Sequence, residues 1–289
     1  MDTRALLMGL AFAVMWSSAF TSARILVADA APIWTLAIRF VVAGLIGVGV
    51  GLATGGQFRL SRAQWLAVVI FGICQNALYL GLNFVAMQTV TASVAAIVAS
   101  TMPLLVAVAS LFGLSERLRP VGVLGLVAGF AGVALVMGSR ISAGVDLFGL
   151  GLCVVGVLAL TMATLAMRGT GSGGNVMTIV GLQMIVGAIP LTVYAVVNEP
   201  FFLEFGPTWG LAFAYTTLVP GLLATWVWFQ LVNRIGPVRA ATFHFLNPFL
   251  GVAIAAILLG ERLGTRDVMG VAIIAGGILI VQLSRPLRR

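Results

Sequence analysis

Apolar residues in this chain run in blocks of membrane-span length, one after another: Ala5–Val27, Pro32–Ala53, Trp65–Val85 and so on to Val268–Leu283. A helix needs ~20 residues to cross ~30 Å of hydrocarbon. Inside that layer every peptide N–H and C=O must be bonded within the structure, which leaves only helices or closed barrels. Short alternating segments, the mark of a barrel, are absent from this sequence. Only 8% of its 289 residues are charged and 61% are hydrophobic. A soluble domain carries ~25% charged residues, so this chain could not cover itself with a wetted surface. The expected class is an all-α polytopic membrane protein.

The blocks parse as ten transmembrane helices, near residues 5–27, 32–53, 65–87, 91–113, 120–138, 147–167, 175–197, 208–232, 237–259 and 267–284. Pro32, Pro120, Pro207 and Pro237 stand at the starts of blocks, where a missing N–H is harmless. The break at Gln88–Val90 carries no charge and is the least marked. The first block follows Arg4, and Ala28-Asp29-Ala30 imitates a leader cleavage site. At over twenty residues it exceeds the ~7–15 of a signal h-region, so it is expected to remain as a span.

All sixteen basic residues are Arg, and the net charge is +8. They stand singly or in pairs between apolar blocks, which suits membrane orientation better than a nucleic-acid groove. With the N-terminus inside, Arg4, Arg59, Arg62, Arg117, Arg119, Arg168, Arg234, Arg239, Arg285, Arg288 and Arg289 face the cytoplasm. Arg24, Arg140, Arg262 and Arg266 face out, and Arg39 lies within span two. By the positive-inside rule both termini are cytoplasmic. Cys74 and Cys153 lie within apolar blocks and serve as small packing residues.

An internal repeat is the most specific signal. Pro103, Glu116-Arg117-Leu118, Gly125 and Gly132 recur as Pro248, Glu261-Arg262-Leu263, Gly270 and Gly277, all at an offset of 145 residues. The chain thus divides into two homologous halves, 1–142 and 143–289, acting as one unit. Each holds five spans, and an odd number puts the second half in the membrane upside down. Inverted repeats recur in secondary carriers, where two pseudo-equivalent halves exchange roles to open to alternate sides.

Trp16-Ser17-Ser18 in span one, Arg39-Phe40 in span two and the twice-repeated Pro…Glu-Arg-Leu…Gly pattern resemble the drug/metabolite transporter superfamily. Within it the chain is similar to the ten-span EamA branch over essentially its full length, and to the YddG type of bacterial amino-acid exporter. The resemblance implies the EamA fold, a bacterial plasma (inner) membrane, and export of aromatic or other hydrophobic amino acids.

The acidic residues, Asp2, Asp29, Glu116, Asp146, Glu199, Glu204, Glu261 and Asp267, all lie at termini or in connections. Exchange of protons for lipophilic cations generally needs an intramembrane carboxylate, and no interior basic cluster is present to clamp phosphate. A neutral or zwitterionic, fairly apolar small molecule is the expected cargo.

Its candidate contacts are the polar and aromatic residues at mid-membrane depth. Span three offers Asn76, Tyr79 and Asn83 on one helical face, with Gln75 beside them. Span nine offers His244 and Asn247. Trp16 and Ser17 in span one, Thr101 in span four, and Tyr215 and Trp226 in span eight complete the set. The bland alternative for each is a hydrogen bond to a neighbouring helix or an interfacial anchor. Pro103, Pro220 and Pro248 are expected to bend their helices near the centre and to take part in gating. His244 is the sole histidine and the one interior group whose ordinary pKa lies near neutrality, so proton coupling through it is open.

Arg39 could pair with a carboxylate, reach a helix cap or snorkel; its second-half counterpart is Gln183, so the charge is not repeated. The glycine stripe Gly122, Gly125, Gly129 and Gly132 marks span five as scaffold. HExxH, P-loop and Cys/His metal spacings are absent, so no cofactor or metal is expected, and a monomer suffices. The rival readings are a same-fold carrier of purines or other metabolites, a membrane-embedded enzyme, and an ion channel.

Overall fold

A computed structural model describes residues 3–55, 60–113, 119–166, 176–235, 240 and 242–284. Among these the chain is helical, apart from loops and one isolated antiparallel bridge, Ala30 to Leu203. The helices are α1 (Thr3–Ala28), α2 (Pro32–Ala53), α3 (Arg62–Phe71), α4 (Gly81–Ala86), α5 (Ala92–Ala99), α6 (Met102–Gly113), α7 (Pro120–Ser142) and α8 (Leu147–Ala166). They continue with α9 (Val176–Asn198), α10 (Pro207–Thr216), α11 (Ala224–Ile235), α12 (Asn247–Leu259) and α13 (Thr265–Leu283). Two π-helical segments, Gly72–Leu80 and Thr217–Leu223, join α3 to α4 and α10 to α11 as continuous rods. Among the described residues seven rods are long and apolar enough to cross a bilayer, with Ala92–Val106 and Asn247–Leu259 as shorter apolar helices.

The expected breaks are present. Pro32 and Pro207 occupy first-turn positions of α2 and α10, and α7 begins at Pro120. The unmarked break after span three is a turn at Met87–Val90, closed by the Thr91 hydroxyl accepting from the Val94 N–H at the start of α5. Pro103 and Pro248 do not bend continuous helices. Each lies in the first turn of a helix that resumes after an interruption, at Ser100–Thr101 and at the 3-10 turn Thr242–Leu246. Proline at that position removes no interior hydrogen bond. Glu116, Arg117, Leu118 and Pro237 lie outside the described residues, as do Arg59, Arg168, Arg239 and the arginines after residue 284.

Helices in lipid gain little from burying apolar area against one another, so close packing at small residues must hold them. Two antiparallel pairs do this. A Cβ added at Gly125 would stand 2.9 Å from the carbonyl oxygen of Gly277, and one at Gly277 2.6 Å from that of Gly125. The same relation joins Gly132 and Gly270, at 2.9 and 3.0 Å. Under the 145-residue offset Gly125 corresponds to Gly270 and Gly132 to Gly277, so one contact is the image of the other. In the second pair α2 meets α9, with Gly47 against the Gly181 backbone. Leucines on the outward faces, such as Leu45 and Leu124, are exposed, as the lipid-facing side of a span requires.

Carboxylates close the ends of helices. Glu199 accepts from the Ile33 and Trp34 N–H groups at 3.2 and 2.8 Å, capping α2. Glu261 accepts from the N–H groups of Ala92 and Ser93 and from the Ser93 hydroxyl, capping α5. Glu261 follows the C-terminus of α12, where the helix dipole opposes a negative charge; the N-terminus of α5 supplies the compensating donors. Asp146 bonds the Thr89 hydroxyl at 2.6 Å and the Gly149 N–H at 2.9 Å. Those bonds hold its carboxyl below the ordinary carboxylate range, the Thr89 hydroxyl contributing most.

Candidate functional site: a polar-aromatic cavity at the two π-helical segments

Between α1, α2, the α3–α4 rod, the α10–α11 rod and α9 lies a cavity with about 580 Å³ of space not filled by atoms, counting the part at its mouth. Trp16 and Phe20 come from α1, Arg39 and Phe40 from α2, and Met184 from α9. Both π-helical segments face it. The first contributes Gln75, Asn76, Tyr79 and Leu80, followed by Asn83 and Phe84 from α4; the second contributes Pro220 and Gly221, flanked by Thr216 and Thr225. The segments start at Gly72 and Thr217, 145 residues apart, which is the repeat offset.

The wide turn explains how one rod presents so many residues to one space. Lining positions recur every fourth residue, at 75, 79, 83 and 87 and at 76, 80 and 84. Four residues overshoot a 3.6-residue α-turn and undershoot the wider i→i+5 turn. Passing from π to α therefore keeps the stripe aimed at the cavity instead of letting it spiral away. The Asn76 Nδ2 amide donates to the Gln183 carbonyl at 3.0 Å, and the Asn83 Nδ2 amide donates to the Tyr79 carbonyl at 2.8 Å. Both bonds hold the segment in place. Helical spacing alone carries no signal for a π-turn, so the sequence identified these residues but not their geometry.

In the second segment Pro220 has no N–H to give the Thr216 carbonyl in the α pattern. Arg39 Nη1 donates to that carbonyl at 3.1 Å. Gly221 lies against the same carbonyl: a Cβ there would stand 2.9 Å from the Thr216 oxygen, and 3.5 Å, an ordinary contact, from Nη1. The guanidinium lies over the Phe40 ring at 4.6 Å and near the Phe84 ring at 5.6 Å, favourable positions for a cation. Arg39 is 3% exposed, and among the described residues no carboxylate pairs with it. Neither of the charge-pairing or snorkelling options for Arg39 is realised, and the contact it makes is to an interior carbonyl.

Of the residues singled out by depth and polarity, Trp16, Gln75, Asn76, Tyr79, Asn83 and Pro220 line the cavity. The others lie elsewhere. His244 and Asn247 form a knot beside it: Asn247 Nδ2 is 2.8 Å from His244 Nδ1, Ser17 donates to Asn247 Oδ1 at 3.4 Å, and the rings of Phe12, Trp16 and Trp228 surround the imidazole. Thr101 donates back to the Val98 carbonyl, and Tyr215 bonds the Ser18 hydroxyl at 2.7 Å. Trp226 packs in the apolar cluster with Phe12 and Trp228. Arg39, Thr216 and Thr225 are polar liners that depth and polarity did not single out; a charged residue in mid-span was the available signal for the first.

The sequence matches the EamA-like transporter family model twice, over residues 3–138 and 147–283. It is 24% identical over 280 residues to the uncharacterized transporter YvbV of Bacillus subtilis, covering 96% of this chain and 92% of that protein. It is 25% identical over 281 residues to the uncharacterized inner membrane transporter YedA of Escherichia coli K12, covering 94% and 88%. Protein PecM of Dickeya dadantii is 24% identical over 273 residues, covering 91% and 86%. A solved crystal structure superposes with a TM-score of 0.73 at 21% identity, over 99% of this chain and 100% of that one. The fold, the doubled match and the full-length relatives lead to one assignment: this multi-pass membrane protein belongs to the EamA-like transporter family.

Proposed function

We propose that the chain is a secondary transporter that exports small neutral or zwitterionic metabolites, aromatic and hydrophobic amino acids above all, by alternating access through this cavity. The observation that carries the reading is the wall itself. Trp16, Phe20, Phe40, Tyr79 and Phe84 offer aromatic faces, Gln75, Asn76 and Asn83 offer amides, and among the described residues no Asp or Glu lines the cavity. An apolar pocket with a few convergent polar groups is the usual form of a small-molecule site. Without an interior carboxylate, coupled exchange of protons for lipophilic cations has no group to run on.

In this reading residues 1–142 and 143–289 are the two inverted repeats of one transport unit, set in a bacterial inner membrane with both termini cytoplasmic. It acts as a carrier and not as an enzyme. The reciprocal glycine contacts and the paired π-segments support exchange of roles between halves, because both interruptions fall where the halves enclose the cavity. Counterflow of radiolabelled phenylalanine into proteoliposomes of the purified protein, with and without a pH gradient, tests it. Saturable uptake above empty vesicles is expected. Uptake of purines but not of amino acids would move the assignment to another carrier class of the same fold.

A further inference from the structure

We infer that Arg39, with Gln75 and Tyr79, forms a carboxylate subsite in this cavity, and that the preferred cargo is an aromatic or apolar monocarboxylate in which an amino group is dispensable. The inference rests on the carrier reading above and departs from it on one point: the preferred cargo is an anion, ahead of the zwitterionic amino acid. Arg39, Gln75 and Tyr79 are 3%, 6% and 1% exposed, and all three line the cavity. Of the five N–H donors of the guanidinium, one meets the Thr216 carbonyl, and Nε has no partner among the described residues. The Gln75 amide and the Tyr79 hydroxyl likewise have no hydrogen bond to a described residue, and neither is sealed from the cavity.

Buried donors left unbonded are costly, and a buried cation without a counter-charge is more so. Such a group in a native structure calls for a completing partner, a water, an ion or a ligand. A carboxylate matches the planar fork of arginine with two parallel bonds. The amide N–H of Gln75 and the Tyr79 hydroxyl supply further donors to its oxygens.

Charge balance then orders the possible cargoes. The lining holds one cation and no anion among the described residues. A monocarboxylate neutralises it, a zwitterion leaves the net charge unchanged, and an amine adds a second positive charge. Crossing a low-dielectric barrier is easiest for the neutral complex. Arg39 is held where Pro220 leaves the Thr216 carbonyl without its α-helical donor, and Gly221 keeps side-chain atoms off that oxygen. The second half thus builds the seat of a charge carried by the first.

The experiment compares uptake of radiolabelled 3-phenylpropionate, phenylalanine and phenethylamine into proteoliposomes of the full chain. It is run at alkaline pH, where the acid is ionised, with empty vesicles as the blank. Wild type, Arg39→Gln and Arg39→Lys are measured beside their melting temperatures in detergent. The expected order for wild type is phenylpropionate first, phenylalanine second, phenethylamine at the blank. Arg39→Gln should lose about tenfold or more of carboxylate uptake, the scale of one charge-assisted bond. Its Tm should equal or exceed that of wild type, because a buried charge is removed. Arg39→Lys should keep part of the uptake, holding the charge without the fork.

Carboxylate uptake by Arg39→Gln within twofold of wild type would overturn the subsite and leave the carrier reading standing. So would wild-type uptake of phenethylamine as fast as of phenylalanine. A lowered Tm with every cargo lost equally would make Arg39 a strut between helices and also overturn it. Wild-type protein that moves none of the three removes the aromatic-cargo reading, and the subsite with it.

Discussion

The two π-helical segments, Gly72–Leu80 and Thr217–Leu223, occupy the same place in the two halves and face the same cavity, yet they bring different chemistry to it. The first carries side chains: Gln75, Asn76 and Tyr79. The second carries a backbone opportunity, a carbonyl at Thr216 that Pro220 cannot bond, that Gly221 leaves uncrowded and that Arg39 reaches. Duplication repeated the wide turn that orients each rod. Divergence then placed donors on one side and a seat for the cation on the other. A repeated scaffold with an unrepeated site is what an asymmetric cargo requires, since a symmetric cavity could not tell its two ends apart.

The largest effect expected from disturbing this pairing comes from filling the first segment's contact with α9. A Cβ at Gly72 would stand 2.7 Å from the Gln183 carbonyl oxygen and 2.9 Å from Val186 Cγ1. Gly72→Val should destabilise the fold by about 3 kcal/mol, the upper end of overpacking costs. Size-exclusion chromatography in detergent should show most of the protein lost from the monodisperse peak.

Pro220→Ala tests the second segment in the opposite sense. A new N–H competes with Arg39 for the Thr216 carbonyl, and a helix-interior proline costs about 3 kcal/mol. Tm should therefore hold or rise, while uptake of aromatic carboxylates falls about tenfold as Arg39 loses its seat. A fall in Tm with unchanged uptake would mean that the second segment is packing alone, and the contrast between segments would collapse.

Asn76→Ala removes the Nδ2 bond to the Gln183 carbonyl. The expected cost is about 1 kcal/mol, read as a small drop in Tm, with uptake reduced because the stripe through Gln75 and Tyr79 is no longer pinned to α9.

Asp146→Asn serves as the control outside both segments, with the smallest effect. The Asp146 carboxyl is held low by Thr89 and Gly149. Its contribution is therefore present above the carboxylate's unfolded pKa of about 3.9 and is lost as pH falls through the lower folded value. Wild-type Tm should drop slightly more steeply than the variant's on acidification below about pH 4, with uptake the same in both.

Much of the architecture was legible because the bilayer is a demanding solvent. Block lengths gave the positions of the helices, and Pro32, Pro120 and Pro207 marked their starts. Within the site the same argument, polar residues at depth, had two meanings that a single sequence cannot separate. Asn76, Tyr79 and Asn83 line the cavity, whereas His244, Asn247 and Ser17 satisfy one another beside it. Both groups are polar and buried, and Asn76 too has a partner on a neighbouring helix; they differ in whether the side chain borders the open space, which the packing of several helices sets. Arg39 illustrates the converse, since its partner is a carbonyl of a π-helical segment far along the chain.

The amino-acid sequence by itself determined that this chain spans a membrane, that its spans are helices, and that its halves repeat. Hydrophobic length, backbone hydrogen bonding and a constant 145-residue offset are properties of the chain alone. Only the tertiary structure decided where the helices widen into π-turns and which face of each meets the cavity. It also decided that one arginine stands there without a counter-charge among the described residues. The reason is physical. Hydrophobicity and periodicity are summed along one helix, whereas the environment of a polar group is set by neighbours from distant parts of the chain.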